Sequence, residues 1–205
     1  MKTTSVVLLL AAAAFTSAEF NETSAPFHLV VTSDDGCIND TLSACHTGAA
    51  LESLCRSNAY TNSDSTPLDP ATFYFNTSDS QQAPAPSLGV PGILTWFLPV
   101  SGATYSSSVY FYYDPTTDIA VPILSPGEDD VEILAFDAEN ELTVQGYVDW
   151  SQNPPKAGNY TQYYRWYICN TYYEAYQYNA LAWGLGPGKP ENPTCVAVNV
   201  TRVFI

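Results

Sequence analysis

The sequence predicts an all-β domain, either an antiparallel β-sandwich or a barrel-like sandwich, with at most one short helix. Three observations lead to this class. Runs of β-branched and aromatic residues recur along the chain, clusters of Pro, Gly, Asn, Asp and Ser separate them, and windows with a helical period are few. Short strands between turn residues are typical of sandwiches and barrels.

Ten segments are predicted as strands. In chain order they are Phe27–Thr32, Thr72–Asn76, Ile93–Leu98, Ser108–Tyr113, Ile119–Ile123, Val131–Phe136, Leu142–Val148, Gln162–Thr171, Tyr176–Trp183 and Val196–Phe204. Turn-forming residues at Ser125–Asp130 and Asp137–Glu141 connect neighbouring strands and indicate an antiparallel meander. Asn58–Pro70 and Ser78–Pro91 are predicted as surface loops.

One window, Thr47–Arg56, has helical spacing. Thr47 can cap the N-terminus of a helix, and Leu51, Leu54 and Cys55 then share one face. The sequence therefore predicts a short helix here.

The first eighteen residues have the composition of a secretory signal peptide. Lys2 precedes the apolar run Val6–Phe15, which is too short to cross a bilayer of about 30 Å, and Thr16 and Ala18 are small enough for signal peptidase. We expect cleavage after Ala18, which leaves residues 19–205 as a single extracellular domain. No second long apolar segment follows, so the product is predicted to be secreted without a membrane anchor.

The chain is strongly acidic. It has 6 basic and 21 acidic residues, a formal net charge of −15 that becomes −16 when Lys2 is removed with the leader. This charge repels phosphate backbones and anionic lipids, and it favours a soluble monomer. Nucleic acid and membrane are therefore excluded as expected partners.

Five Asn-x-Ser/Thr motifs predict N-glycosylation in the secretory pathway. They begin at Asn21, Asn39, Asn76, Asn159 and Asn199. Each glycosylated asparagine must face solvent.

Five cysteines follow the leader, so one is left without an intramolecular partner. We expect a Cys169–Cys195 bridge worth about 3.5 kcal/mol of chain entropy and a Cys45–Cys55 bridge worth about 3 kcal/mol. Cys37 is then free or bridged to another molecule. Zinc binding by Cys37, Cys45 and His46 is the less favoured alternative, because thiols oxidise outside the cell and a second ligand pair is missing.

Strand alternation gives a further reason for the Cys169–Cys195 bridge. The side chains predicted to face the core are Tyr164, Trp166, Ile168, Val196, Val198, Val200 and Phe204. Cys169 and Cys195 fall on the opposite face, together with Arg165, Tyr167 and Asn199. Because a glycan on Asn199 requires water, this face is predicted to be exposed.

Motifs for catalysis are not found. The chain has no Gly-x-Ser-x-Gly elbow, zinc-binding His-Glu-x-x-His motif, phosphate loop or EF-hand, so no catalytic residue, metal or cofactor is predicted. His28 and His46 are interpreted as structural, and the acidic run Glu128–Glu132 as a solvated turn, with calcium binding as its alternative. A glycosidase needs only two suitably spaced carboxylates, which sequence spacing does not reveal.

The strongest candidate surface is aromatic. The segment Tyr160–Trp183 holds ten Tyr and Trp residues, more than one strand face can bury, and Tyr110–Tyr113 extend it. Exposed rings beside amides and hydroxyls suit sugars, whose C–H faces stack on aromatic rings. The candidate ligand-binding residues are Tyr163, Arg165, Tyr167, Tyr173 and Trp183. The alternative is a tyrosine-rich core with cross-strand pairs.

Several segments also resemble a known family. They are Cys45-His46-Thr47-Gly48-Ala49-Ala50, Tyr164–Cys169, Leu181–Trp183, Asn192–Cys195 and Val200–Phe204. Together they resemble small secreted ascomycete glycoproteins whose domain has no assigned activity. The resemblance covers most of the mature chain, implies a secreted, disulfide-bridged fungal domain, and brings no catalytic residue; Cys37 lies outside its pattern.

These observations favour a glycoprotein of the fungal cell wall or extracellular matrix, with wall polysaccharide as its partner. Two alternatives remain from the sequence: a carbohydrate-active enzyme that uses two carboxylates, and a secreted effector or antigen that binds a host protein.

Overall fold

The computed structural model describes residues 20–58 and 66–205, and all regular structure in these residues is β-strand. The strands are β1 (Glu22–Thr23), β2 (Phe27–Thr32), β3 (Asn39–Gly48), β4 (Leu51–Arg56), β5 (Phe73–Thr77), β6 (Gly92–Val100), β7 (Ala103–Asp114), β8 (Ile119–Pro126), β9 (Ala135–Phe136), β10 (Leu142–Asp149), β11 (Lys156–Tyr163), β12 (Trp166–Tyr173), β13 (Tyr176–Gly184), β14 (Val196–Ala197) and β15 (Asn199–Phe204). The predicted leader, residues 1–18, lies outside the described residues. Within them, no helix is long and apolar enough to span a membrane.

Eight strands close into an antiparallel barrel in the order β5-β6-β7-β8-β13-β4-β3-β2. The ring is closed where Phe27 of β2 pairs with Phe73 of β5. Strands β1, β12, β14 and β15 extend this sheet, and β9, β10 and β11 form a separate three-stranded sheet. The predicted all-β class is confirmed, in its barrel form.

The barrel interior is filled by side chains from all eight of its strands. In β2, Phe27, Leu29 and Val31 are buried and alternate with half-buried residues, as a strand with one face on the core requires. Trp166 from β12 and Leu142 from β10 join the same cluster. The apolar alternation of the sequence thus builds the main core.

A second apolar cluster covers the outer face of the barrel wall. It combines Ile119, Val121 and Ile123 of β8 with Cys169, Tyr173 and Ala182 of the β12–β13 hairpin and with Cys195. The Cys169–Cys195 disulfide forms, but both cysteines are buried. The prediction that they share a water-exposed face is therefore wrong. The apolar odd-numbered residues of β8 pack against that face and exclude water from it.

The predicted helix at Thr47–Arg56 is a β-hairpin. Strands β3 and β4 pair from Leu42 with Arg56 to Gly48 with Leu51, and Ala50 turns the chain at a φ of 60°. Leu54 points into the barrel, whereas Cys55 packs outside it and forms the predicted bridge to Cys45. Because both faces of β4 are covered, its apolar residues lose the period of two and imitate helical spacing.

Two predicted strands are interrupted. Gln162–Thr171 is split at Tyr164 and Arg165, where the chain leaves β11 and enters β12, and Val196–Phe204 is split at Val198. Tyr164 lies in the first break, Val196 in the short β14 and Phe204 at the end of β15. All three were predicted to be buried but are exposed, because the continuous strand that would bury them is absent at these positions.

Candidate ligand-binding site

Strands β10 and β11 form a two-stranded arm. Its base is fixed to the body, because Trp166 Nε1 donates to the Leu142 carbonyl at 2.7 Å and Gln145 Nε2 donates to the Gly89 carbonyl at 2.9 Å. Val144 and Tyr163, a cross-strand pair, also pack on the main core. Farther out, residues 149 to 161 are all exposed. The arm is thus anchored at one end and solvated at the other.

One face of the arm forms an open cleft of about 670 Å³, called the arm cleft below. Trp150, Tyr163 and Arg165 are among its lining residues, and Gly146 and Gly158 contribute backbone without a side chain. Trp150 is 77% exposed. A neighbouring cavity of about 430 Å³ shares Trp150, Tyr163 and Arg165 with the arm cleft.

A bulge in β11 shapes this cleft. Gly146 pairs with Thr161 and Val148 pairs with Ala157, so the single residue Tyr147 lies opposite residues 158–160. Extra residues of this kind bend a strand and redirect its side chains. Here Asn159, Thr161 and Tyr163 line the arm cleft, whereas Tyr160 lines the neighbouring cavity.

The opposite side of the bulge carries a tyrosine pair. The rings of Tyr147 and Tyr160 lie 5.3 Å apart at an interplanar angle of 40°. Both residues are exposed and line the neighbouring cavity together with Trp150. Aromatic rings therefore continue around the arm beyond the cleft itself.

Polar groups accompany the rings of the arm cleft. The Arg165 guanidinium lies 4.9 Å from the centre of the Tyr163 ring. At the tip, Ser151 donates to Asp149 Oδ1 from its backbone N at 3.0 Å and from its Oγ at 2.6 Å. These hydrogen bonds lower the pKa of Asp149, which stays ionised as an acceptor. Aromatic faces beside such donors and acceptors can bind a ligand that has both C–H faces and hydroxyls.

The five predicted binding residues separate into two groups. Tyr163 and Arg165 line the arm cleft. Tyr173 and Trp183 are only 9% and 7% exposed, so they belong to the core, and Tyr167 is half-buried against the outer cluster. The prediction of one continuous surface is wrong for these three residues, because strand β12 has an apolar layer on each side.

Trp150 and Tyr147 were not among the predicted binding residues. Trp150 follows a strand end and precedes Ser151, Gln152 and Asn153, so it stands in a turn with no strand partner to cover it. A large aromatic residue among turn-forming residues is the sequence feature that could have predicted an exposed ring at this position. Tyr147 has no such signal, since its exposure depends on where the body of the protein ends.

Carboxylates with a raised pKa lie outside the arm cleft. Burial raises the pKa of Glu52, although His46 lies 3.6 Å from it, and burial also raises the pKa of Glu132. Burial, together with repulsion from Asp137 and Glu139, raises the pKa of Glu141. Residues 20–58 and 66–205 contain no group of three or more His, Cys, Asp and Glu side chains placed to hold a metal ion.

Asp137 and the two histidines have structural contacts. Asp137 Oδ1 accepts hydrogen bonds from the backbone N of Glu139 at 3.0 Å and of Glu141 at 2.8 Å, which stabilises the turn between β9 and β10. A ring nitrogen of His28 hydrogen-bonds the Ala71 carbonyl at 2.9 Å. His46 is paired with Glu52 and packs edge-on against the Tyr176 ring at 5.3 Å.

The fold and the site define an all-β barrel protein with an aromatic arm. A family model described as "Domain of unknown function (DUF7907)" matches residues 24–204, and the chain belongs to this family. No curated protein and no solved structure gives a significant match to the chain.

Proposed function

We propose that this protein is a secreted fungal glycoprotein of the cell wall or extracellular matrix that binds a neutral polysaccharide in the arm cleft. The exposure of Trp150 beside Tyr163 and Arg165 carries the proposal. An exposed tryptophan leaves a large apolar surface in contact with water, which is unfavourable. Exposed apolar groups gathered at a cleft are typical of binding sites. The net charge of −15 disfavours anionic polymers.

Secretion is supported by two features. The first eighteen residues have the pattern of a signal peptide. The Cys45–Cys55 and Cys169–Cys195 disulfides are compatible with an oxidising compartment. Fungal origin rests on the resemblance of the N- and C-terminal segments.

Hydrolysis is not part of the proposal. Asp149 is the carboxylate among the described residues of the arm cleft, and its pKa is lowered. A glycosidase needs a second carboxyl group and a general acid whose pKa is raised. The arm cleft therefore favours binding over cleavage.

Sedimentation of the secreted protein with insoluble chitin, β-glucan and cellulose tests the proposal. We expect one polymer to deplete the wild type from the supernatant and to leave Trp150→Ala in solution. Tyr172→Ala is the matched control, because Tyr172 is 64% exposed but lies on the β12–β13 hairpin and does not line the arm cleft. Equal retention of Trp150→Ala and wild type, or no retention by any polymer, contradicts the proposal.

A further inference from the structure

Asn159 begins a glycosylation motif and also lines the arm cleft. Its side chain is exposed and makes no hydrogen bond within the described residues, so the amide nitrogen that receives a glycan is free. An N-glycan is joined to the protein through N-acetylglucosamine, a pyranose with the same C–H faces and hydroxyls that the cleft is proposed to bind. The modification site and the binding site therefore coincide.

The other four motifs differ from Asn159. Asn21 Oδ1 accepts a hydrogen bond from the Asp79 backbone N at 3.0 Å, and Asn76 Oδ1 is buried. Asn39 and Asn199 are exposed at the starts of β3 and β15. None of these four residues lines the arm cleft.

The local backbone leaves room for a sugar next to Asn159. Asn159 and Thr161 are two residues apart on the bulged part of β11, and both line the cleft with Tyr163. Gly146, opposite Thr161, and Gly158, next to Asn159, both line the cleft and add no side chain to it. Trp150 lines the same cleft at the tip of the arm and Tyr163 at its base.

Attachment makes even a weak contact effective. A group held by a short flexible linker has an effective concentration on the order of millimolar. A sugar–ring contact with a dissociation constant of about 1 mM is then formed a large part of the time. A free polysaccharide must compete with this attached sugar.

We propose that the N-glycan on Asn159 folds back into the arm cleft, covers Trp150 and thereby limits access of polysaccharide. This inference rests on the proposed function for its second part, whereas the covering of Trp150 is independent of it. Glycosylation of one residue thus sets how open the binding site is.

The test compares the full chain, secreted from a host that attaches N-glycans, with Asn159→Gln and with Asn199→Gln. Intact mass establishes whether Asn159 carries a glycan in the wild type. Of the four tryptophans, Trp166 and Trp183 are buried and Trp96 is partly buried, so acrylamide quenching of tryptophan fluorescence reports mainly on Trp150, which is 77% exposed. We expect Asn159→Gln to be quenched more strongly than wild type and to bind the retaining polymer about two- to tenfold more tightly. Asn199→Gln should match the wild type in both measurements.

Enzymatic removal of the N-glycans from the folded wild type provides a second route, which does not depend on the folding of a variant. It should reproduce the increased quenching. An unmodified Asn159, or quenching that is the same in wild type, Asn159→Gln and deglycosylated protein, overturns the inference. If quenching rises but no polymer retains any form, the glycan covers the cleft and the polysaccharide proposal alone has failed.

Discussion

The arm β10–β11 and the hairpin β12–β13 follow each other in the chain and are both rich in aromatic residues, but they bury them differently. In β12–β13, Trp166 and Trp183 enter the barrel and Tyr173 enters the outer cluster. In the arm, Trp150 and Tyr147 face solvent. The number of rings in a segment therefore does not decide whether they form a core or a surface.

The difference arises from what lies on each side of the strands. Strand β12 pairs with β13 and has the barrel interior on one face and the residues Ile119, Val121 and Ile123 near the other. Strand β11 pairs with β10 alone. A two-stranded ribbon has no layer to bury its rings against, so they remain available for a ligand.

The largest contrast is expected from removing one tryptophan in each hairpin. Trp166 is 2% exposed and donates a hydrogen bond to Leu142, so Trp166→Ala should lower the free energy of unfolding by about 3–5 kcal/mol. Trp150→Ala should change it by no more than about 0.5 kcal/mol. Urea unfolding measures both. A Trp150→Ala variant as unstable as Trp166→Ala would mean that the arm is part of the core.

The next largest effect is expected from removing the Cys169–Cys195 disulfide, which covers the outer face of the barrel wall. The double change Cys169→Ala and Cys195→Ala opens a loop with a sequence separation of 26. The free energy of unfolding should fall by about 3.5 kcal/mol on the chain-entropy model. Polysaccharide retention should persist while the protein stays folded, because neither cysteine lines the arm cleft.

Cys37→Ser is the control for that experiment. Its thiol is exposed and free, so urea unfolding in the absence of reductant should give a stability within about 0.5 kcal/mol of wild type. Equal losses in the double variant and in Cys37→Ser would contradict the assigned pairing.

Much of the fold could be predicted from local pattern. Phe27–Thr32 has the bounds expected from its alternation, and the Asp137–Glu141 turn connects β9 to β10 as expected. These segments have one buried face, so the period of two is visible in the sequence. Both disulfides also follow from the grouping of the cysteines.

The remainder depends on tertiary contacts that the sequence does not display. Thr47–Arg56 imitates a helix because β4 is covered on both faces, and Cys169 is buried because β8 lies beside it. Of the predicted binding residues, Tyr163 and Arg165 line the arm cleft and are next to the point where the arm leaves the body. Its extension to Trp150 requires knowing that β10 and β11 project beyond the barrel.

A smaller effect is expected from removing a single hydroxyl. Tyr173 and Tyr110 share a hydrogen bond of 3.0 Å between their hydroxyls, and burial, followed by this bond, raises the pKa of Tyr110. Tyr173→Phe should cost about 1 kcal/mol of unfolding free energy in urea. Tyr147→Phe on the arm should leave the free energy of unfolding unchanged. If Tyr173→Phe does not change the free energy of unfolding, water must reach the outer cluster.

The smallest expected effect is a change in pH dependence. Burial raises the folded-state pKa of Glu52 above its ordinary value of 4.5, with partial compensation by His46. The folded protein therefore keeps this proton at a pH where the unfolded chain has released it. The resulting stabilisation is complete below pH 4.5 and is lost as the pH rises through the raised value. Glu52→Gln should accordingly lose less stability than wild type between pH 4 and pH 7, as measured by urea unfolding.

The arm provides the opposite sign and the control. Ser151 lowers the pKa of Asp149 below its ordinary value of 3.8, so any stabilisation from this group is present above that pH and lost as the pH falls through the lowered value. Because Asp149 is exposed, Ser151→Ala should leave the change in stability between pH 4 and pH 7 as it is in wild type. If Glu52→Gln also keeps the wild-type slope, Glu52 is solvated in the folded protein. The barrel wall and the arm would then not differ in whether a carboxylate is exposed to water.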